Sequence, residues 1–410
     1  MRRLMVYSHD TYGLGNIRRM LSICRHLNEV IPDLSILLVT GSPMIHSFRL
    51  PQRLDYIKLP CVRRTAYEGY SVKSLGTSMD ETMQLRADLL LSAVTNFKPE
   101  LLLVDKKPYG VKRELEGVLR YVRFHFPATK QALILRDILD APGTTIETWH
   151  KQDYYEAVRS FYDAVLVLGW PEVFDLSNEY EFPPAIAEKL QFCGYIEREP
   201  GRKTRRAMRD ELQLGDDEKL VLVTPGGGED GYEIIDNYVA GLPLLPRHVR
   251  SLIISGPEMP EAQRRRLLHT CVNNPQVNFL EFTDDLMSYL DAADAVVSMC
   301  GYNTICEILS LRKRAVVIPR VHPTQEQLIR AERLSELGLF QTLHPAHLSP
   351  PRLMQSVLDE LHAAPTHPPR AFELDALANI ANWVKASLPE RFVMPKKTMQ
   401  ASLVKAIQYL

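Results

Sequence analysis

The chain has 410 residues, which is too long for one ordinary domain and suits two. Its hydrophobic content of 45% and charged content of 24% are ordinary for a folded soluble protein. A net charge of −1 excludes a global field that would recruit nucleic acid, or anionic lipid, to the whole molecule.

Six cysteines (Cys24, Cys61, Cys193, Cys271, Cys300 and Cys306) show no CxxC spacing. The pattern gives neither a zinc site nor a redox motif, and a reduced, cytoplasmic protein is the simplest expectation. A first strand starting at about Leu4 would leave no room for a signal peptide. Apolar runs such as Leu101–Val104 and Ala164–Leu168 are strand-sized, far short of a membrane span. Local basic clusters at Arg63-Arg64, Lys106-Lys107, Arg202 to Arg209 and Arg264 to Arg266 read most simply as solvated faces.

In chain order, Leu4–Ser8 is a short apolar strand ahead of Gly13 and Gly15. Ile17, Met20, Leu21, Cys24 and Leu27 recur at helical spacing. Leu34–Val39 is the next expected strand, and Met79–Phe97 a long helix. Leu101–Val104 is a buried strand ending at Asp105. Leu133–Leu135 leads into Arg136-Asp137, and Ala164–Leu168 closes the series. Continuous apolar strands separated by helices indicate a parallel sheet covered on both faces.

A linker is expected over Gly194–Thr204, rich in Gly, Pro and charge. The scheme then repeats. Leu220–Val223 runs into Pro225-Gly226-Gly227-Gly228, and Leu252–Ile254 into Ser255-Gly256. A strand Val277–Phe282 and a helix Asp284–Asp291 come next. Strands Ala295–Ser298 and Ala315–Ile318 complete the second sheet. After a Pro-rich gap at Ala363–Pro369, the tail has helical patterns at Leu374–Ser387 and Thr398–Leu410. The expectation is an α/β protein of two facing, doubly wound domains. Their bounds are 1–195 and 204–365, with a deep cleft between them and a helical tail over 370–410.

Ligands of such sheets bind beyond the carboxyl ends of the strands, and the informative turns lie there. Gly226, Gly227 and Gly228 let a phosphate approach the backbone closely. Gly301, Asn303 and Thr304 open a helix at about Tyr302, where backbone N–H groups and side chains meet phosphate oxygens. Glu307 shares a helix face with Asn303 and Thr304, and its carboxylate suits two ribose hydroxyls. A strand ending at Pro319 feeds His322, Gln325 and Gln327 to the same level. Together these turns suit a nucleoside diphosphate carrying a sugar.

The first loop, His9-Asp10-Thr11-Tyr12-Gly13-Leu14-Gly15-Asn16, is not a dinucleotide fingerprint, because Arg18 stands at the third glycine position. It also lacks the Lys-Ser/Thr of an NTPase phosphate loop. His9 or Asp10 at the cleft could remove a proton from an acceptor hydroxyl. Asp105 and Asp137, at the ends of neighbouring strands, are further candidates, with capping or salt bridging as the plainer role.

Gly301-x5-Glu307 followed by His322-x4-Gln327 resembles the nucleotide-sugar site of inverting GT-B glycosyltransferases of family 28 type. That family includes the bacterial transferase acting on lipid-linked muramyl-pentapeptide. Segments such as Leu103-Val104-Asp105-Lys106, Leu135 to Asp140 and Gly226-Gly227-Gly228-x-Asp230-Gly231 resemble a group of bacterial members. The resemblance implies a fold of two Rossmann-like domains with the tail crossing back onto the first. It implies that Glu307 binds the ribose, and that Gly301, Asn303 and Thr304 meet the diphosphate. Phe282 and Thr283 would read the base through their backbone, and Gln327 and Glu326 would contact the donor sugar. Relatives carry a histidine where this chain has Asn16, on the acceptor-side loop with Gly13 and Gly15. Asn takes no proton at neutral pH, which leaves His9, Asp10 or Asp137 as the base.

The implied activity is transfer of a sugar, with inversion, from a UDP-sugar to a hydroxyl of a lipid or glycan. The donor would be a UDP-hexose or UDP-N-acetylhexosamine, and no cofactor or metal is required by the motif. No nucleic-acid partner is expected. Peripheral contact with the inner face of a membrane is expected around Arg63–Lys73. Two alternatives remain at this level: a nucleotide-sugar epimerase of the same fold, and a noncatalytic nucleotide-sugar-binding subunit.

Overall fold

The computed structural model describes residues 1–9, 15–64, 69–363 and 372–388. Asp10, Gly13 and the helical pattern Thr398–Leu410 lie outside them.

In the N-terminal half the strands are β1 (Arg2–Ser8), β2 (Leu34–Thr40), β3 (Leu54–Lys58), β4 (Val62–Arg64), β5 (Tyr70–Val72), β6 (Leu101–Asp105), β7 (Lys130–Arg136), β8 (Ala164–Leu168) and β9 (Leu190–Phe192). The C-terminal half contributes β10 (Lys219–Thr224), β11 (Val249–Ile254), β12 (Val277–Leu280), β13 (Ala295–Ser298), β14 (Arg314–Val317) and β15 (Gln341–Thr342). Among the described residues the first sheet has the order β3-β2-β1-β6-β7-β8-β9 and the second β12-β11-β10-β13-β14-β15. Every neighbouring pair in both sheets is parallel. The separate β4–β5 hairpin is antiparallel.

The parallel pairing follows from the residues. Leu101–Asp105 and Ala164–Leu168 are buried along their whole length, so they read as unbroken apolar runs and need cover on both faces. In β10, alternate side chains point to opposite faces. Leu220 and Leu222 join an apolar cluster that is continuous with the core of the first sheet. Val221 and Val223 belong to a second cluster on the far side.

Five helices position the site: α1 (Gly15–Val30), α2 (Met79–Phe97), α3 (Tyr302–Ser310), α4 (Glu326–Glu336) and α5 (Ala376–Ser387). The start of α2 is fixed by a capping box, in which Ser78 accepts from the Glu81 N–H and Glu81 accepts from the Ser78 N–H. Although α5 lies late in the chain, it packs on the N-terminal half. Ile380, Ala381 and Val384 enter the first core, and Asn379 donates to the Cys193 carbonyl at 3.1 Å.

Several expected bounds shift. The strand expected over Val277–Phe282 stops at Leu280, and the helix after it starts at Leu286. Phe282 therefore stands beyond the strand, 57% exposed.

Candidate functional site: a cleft between two switch points

Each sheet reverses its strand order once, between β1 and β6 and between β10 and β13. Loops leaving a reversal diverge and open a crevice there. The two crevices face one another across a cavity of about 250 Å³. One wall holds Gly15, Asn16, Arg19 and Arg136; the other holds Gly226 to Asp230 and Gly301 to Thr304.

The glycine turn after β10 is set by backbone contact. Gly226 and Gly228 have φ of +81° and +96°, the left-handed region. A Cβ on Gly228 would lie 2.3 Å from the Ser255 carbonyl oxygen. The turns after β10 and β11 are thus pressed together, with the Glu258 N–H donating to the Gly227 carbonyl at 2.8 Å. Gly226 faces Thr304, whose hydroxyl lies 3.8 Å from where a Cβ would sit.

Across the turn, α3 begins at Tyr302 with Gly301 as its N-cap and without a side-chain cap. Its first N–H groups thus meet the cleft as ready donors for an anion. Asn303 caps nothing. Its carboxamide donates to the Gly15 carbonyl at 3.1 Å and accepts from Arg198 at 2.7 Å.

Glu307, on the next turn of α3, is 2% exposed. Burial raises its carboxyl above the usual range, while Arg18 and Arg198 pull it down. The Arg18 guanidinium reaches across from α1 to within 3.2 Å of Oε1.

In the N-terminal half, His9 directly follows β1, is 2% exposed and is not among the residues lining the cavity. Burial first, then the charges of Lys106, Lys107, Arg86 and Arg19, hold its ring well below the ordinary imidazole value. It is therefore neutral at pH 7, the form able to accept a proton. Its Nδ1 is buried with no hydrogen-bond partner among the described residues. Asn16 has a bracing role, donating to the His9 carbonyl at 2.6 Å and accepting from Arg19 at 3.2 Å.

Both strand-end aspartates considered as bases are committed to ion pairs. Asp105 is buried and holds Arg19 at 2.7 Å. Asp137 is fully buried and meets Arg330 through two bonds of 2.7 and 2.8 Å. It also accepts from the Tyr195 hydroxyl at 2.6 Å and from the Ile138 N–H at 2.8 Å. That corrects the expectation of Asp137 as a base: the carboxylate is saturated with donors and tied to a permanent cation. Its role is to join the end of β7 to α4 across the two halves. Lys106, which follows Asp105, has a left-handed φ of +71°. Burial first, then Arg136, brings its amine down to about 7, with Glu326 and Asp105 offsetting part of the effect.

The start of α4 brings Glu326 and Gln327 to the cavity, both buried. Glu326 pairs with Arg136 at 2.5 Å and lies 4.0 Å from Arg320. Burial would raise this carboxyl, but Arg136, Arg330, Lys106 and Arg320 together hold it below the usual range. Gln327 accepts from the Arg320 N–H at 3.2 Å. His322 is exposed and is not among the residues lining the cavity. Phe282 and Thr283 also stay off the cavity wall, with Thr283 accepting from the Asp285 N–H at 3.1 Å.

Sequence reasoning did not single out the cavity's charged lining of Arg19, Arg136, Arg320, Asp230 and Glu258. Arg136 ends a strand beside a suspected base, and that position was the available signal. Asp230 and Arg320 pair at 3.1 Å although 90 residues apart, which no local pattern reveals.

Residues 221–382, the half that carries the glycine turn, α3 and α4, match the glycosyltransferase family 28 C-terminal domain. That match covers the C-terminal part of the chain and is to a domain of glycosyltransferases. An uncharacterized glycosyltransferase of Methanopyrus kandleri is 26% identical over 230 residues, 55% of this chain and 61% of that protein. The UDP-N-acetylglucosamine–N-acetylmuramyl-(pentapeptide) pyrophosphoryl-undecaprenol N-acetylglucosamine transferase of Haemophilus influenzae is 32% identical over 85 residues, 21% of this chain and 24% of that one. The chain thus spans less than two thirds of the length of these relatives. The MurG structure of Acinetobacter baumannii superposes with a TM-score of 0.59 at 12% identity, covering 94% of this chain and 100% of that one. At that identity the likeness concerns the fold, which is GT-B: two Rossmann-like units about a cleft. A UDP-GlcNAc 2-epimerase shares it.

Proposed function

We propose that this protein is a glycosyltransferase of family 28 type. It moves a sugar from a UDP-hexose or UDP-N-acetylhexosamine to a hydroxyl of a lipid or glycan acceptor, with inversion. The observation that carries this reading is the pairing of the Gly226–Gly228 turn with the uncapped N-terminus of α3 across one cleft. A diphosphate placed there meets oriented N–H groups in a site with a pre-set positive end. Those donors, with Arg320, supply the charge that a leaving UDP needs, so no metal is invoked. Gln327 with Glu326, on the cavity wall, holds the donor sugar; Glu307, buried one turn further along α3, takes the ribose hydroxyls, and the base extends beyond the cavity to the backbone of Phe282 and Thr283. His322 is left as a second-sphere residue at the loop before α4.

The acceptor hydroxyl approaches from the wall of β1 and β6. His9 is the described group there that is neutral and not held in an ion pair, so it is the proton acceptor we favour; Asp10 neighbours it in sequence. The substrates in the name of the Haemophilus influenzae relative support a UDP-sugar donor and a lipid-linked acceptor. Among the described residues no helix is long and apolar enough to cross a membrane. The protein is proposed to act in the cytoplasm, touching the inner face of the membrane around Arg63–Lys73.

The test is mass spectrometry of the purified protein with a panel of UDP- and GDP-sugars, with and without lipid and glycan acceptors. Transfer from a UDP-sugar is the expected result. Conversion of UDP-N-acetylglucosamine with no acceptor would identify an epimerase, and binding without turnover across a broad panel would identify a noncatalytic subunit.

A further inference from the structure

The donor-side groups of α3 have partners on the opposite half of the chain. Asn303 is shared between the Gly15 carbonyl and Arg198. Glu307 holds Arg18 at 3.2 Å. The two partners of that ion pair differ sharply: the Arg18 side chain is 46% exposed and that of Glu307 only 3%. A buried carboxylate needs a donor, whereas an exposed guanidinium can return to water at little cost. Arg18 also sits on the first turn of α1. Its release therefore requires no unfolding.

We propose that Arg18 is a latch on the donor site. Its guanidinium occupies the Glu307 carboxylate when no nucleotide is present, and the ribose hydroxyls displace it on binding. The inference rests on the donor-site reading above and adds a residue on the opposite domain that sets donor affinity. An arginine that competes with the ligand lowers apparent affinity by the population of the latched state. One half-exposed ion pair corresponds to a change of about fivefold.

The experiment is titration calorimetry of UDP into the full chain, comparing wild type with Arg18→Ala and Arg18→Lys. The latch predicts about fivefold tighter binding by Arg18→Ala, with Arg18→Lys between it and wild type. Weaker binding by Arg18→Ala would overturn the proposal, making Arg18 a donor-binding group. Equal binding by all three would overturn it as well, while leaving the donor site intact. If none of the three binds UDP, the donor-site reading itself fails and the latch fails with it.

Discussion

Replacing Arg330 with methionine should destabilise the protein far more than any exposed arginine on the same helix. The side chains of Arg330 and Asp137 are both 0% exposed, and two bonds of 2.7 and 2.8 Å join them. At an effective dielectric of about 20, charges about 4 Å apart attract by roughly 4 kcal/mol. Breaking a buried pair by removing one member costs about 3–5 kcal/mol, because the other charge is stranded. In Arg330→Met, Asp137 keeps the Tyr195 hydroxyl and the Ile138 N–H but loses its cation, and the Cys300 carbonyl loses its Arg330 donor at 2.8 Å. A loss of about 3–5 kcal/mol is expected. Arg333, almost one turn along α4, is the internal control. Its pair with Glu179 is 42% and 31% exposed, so Arg333→Met should lose under about 1 kcal/mol. Urea unfolding followed by circular dichroism measures both. The double variant Asp137→Asn, Arg330→Met removes both charges and should recover about half of the loss, as coupled residues do. If Arg330→Met loses no more than Arg333→Met, or the double variant recovers nothing, the pair does not join the two halves as described.

Two further outcomes follow from local geometry. Gly228→Ala would put a Cβ 2.3 Å from the Ser255 carbonyl at a φ of +96°, costing at least about 1–3 kcal/mol and weakening UDP binding; an unchanged melting temperature would mean that the turns after β10 and β11 are not in contact. Lys106 has its amine lowered to about 7 in the folded chain, against roughly 10.4 unfolded. Between those values the unfolded chain binds the extra proton, so wild-type stability should rise with pH from about 7 to about 10 relative to Lys106→Met. Urea midpoints at pH 7 and pH 9 check it, and a difference between the two proteins that does not change with pH would show that the amine is not depressed.

Much of the framework was readable because buried parallel strands announce themselves as apolar runs. Ala164–Leu168 and Ala295–Ser298 stand where the sequence placed them, as does the helix Met79–Phe97. The strands that went unread include β3, with Asp55 and Lys58 among its residues, and the three-residue β9, besides the β4–β5 pair and the two-residue β15. β3, β9 and β15 are edge strands, with too few buried positions to give a run. The donor-side turns were legible because glycines and a helix start mark them locally. Partners were not. Asp137 and Arg330 are 193 residues apart, and Arg18 and Glu307 are 289 apart. An aspartate at a strand end looks the same in sequence whether it faces a substrate or a guanidinium, and only the packing of α4 on the first sheet decides which.

The central claim is that the cleft between the two switch points binds the nucleotide of a UDP-sugar through Glu307. Titration calorimetry with UDP on wild type and Glu307→Ala tests it most directly. The account predicts one site per chain in the wild type and at least a tenfold loss of affinity in Glu307→Ala, about 1.4 kcal/mol or more. Absence of UDP binding by the wild type, or equal affinity in the two proteins, would contradict it.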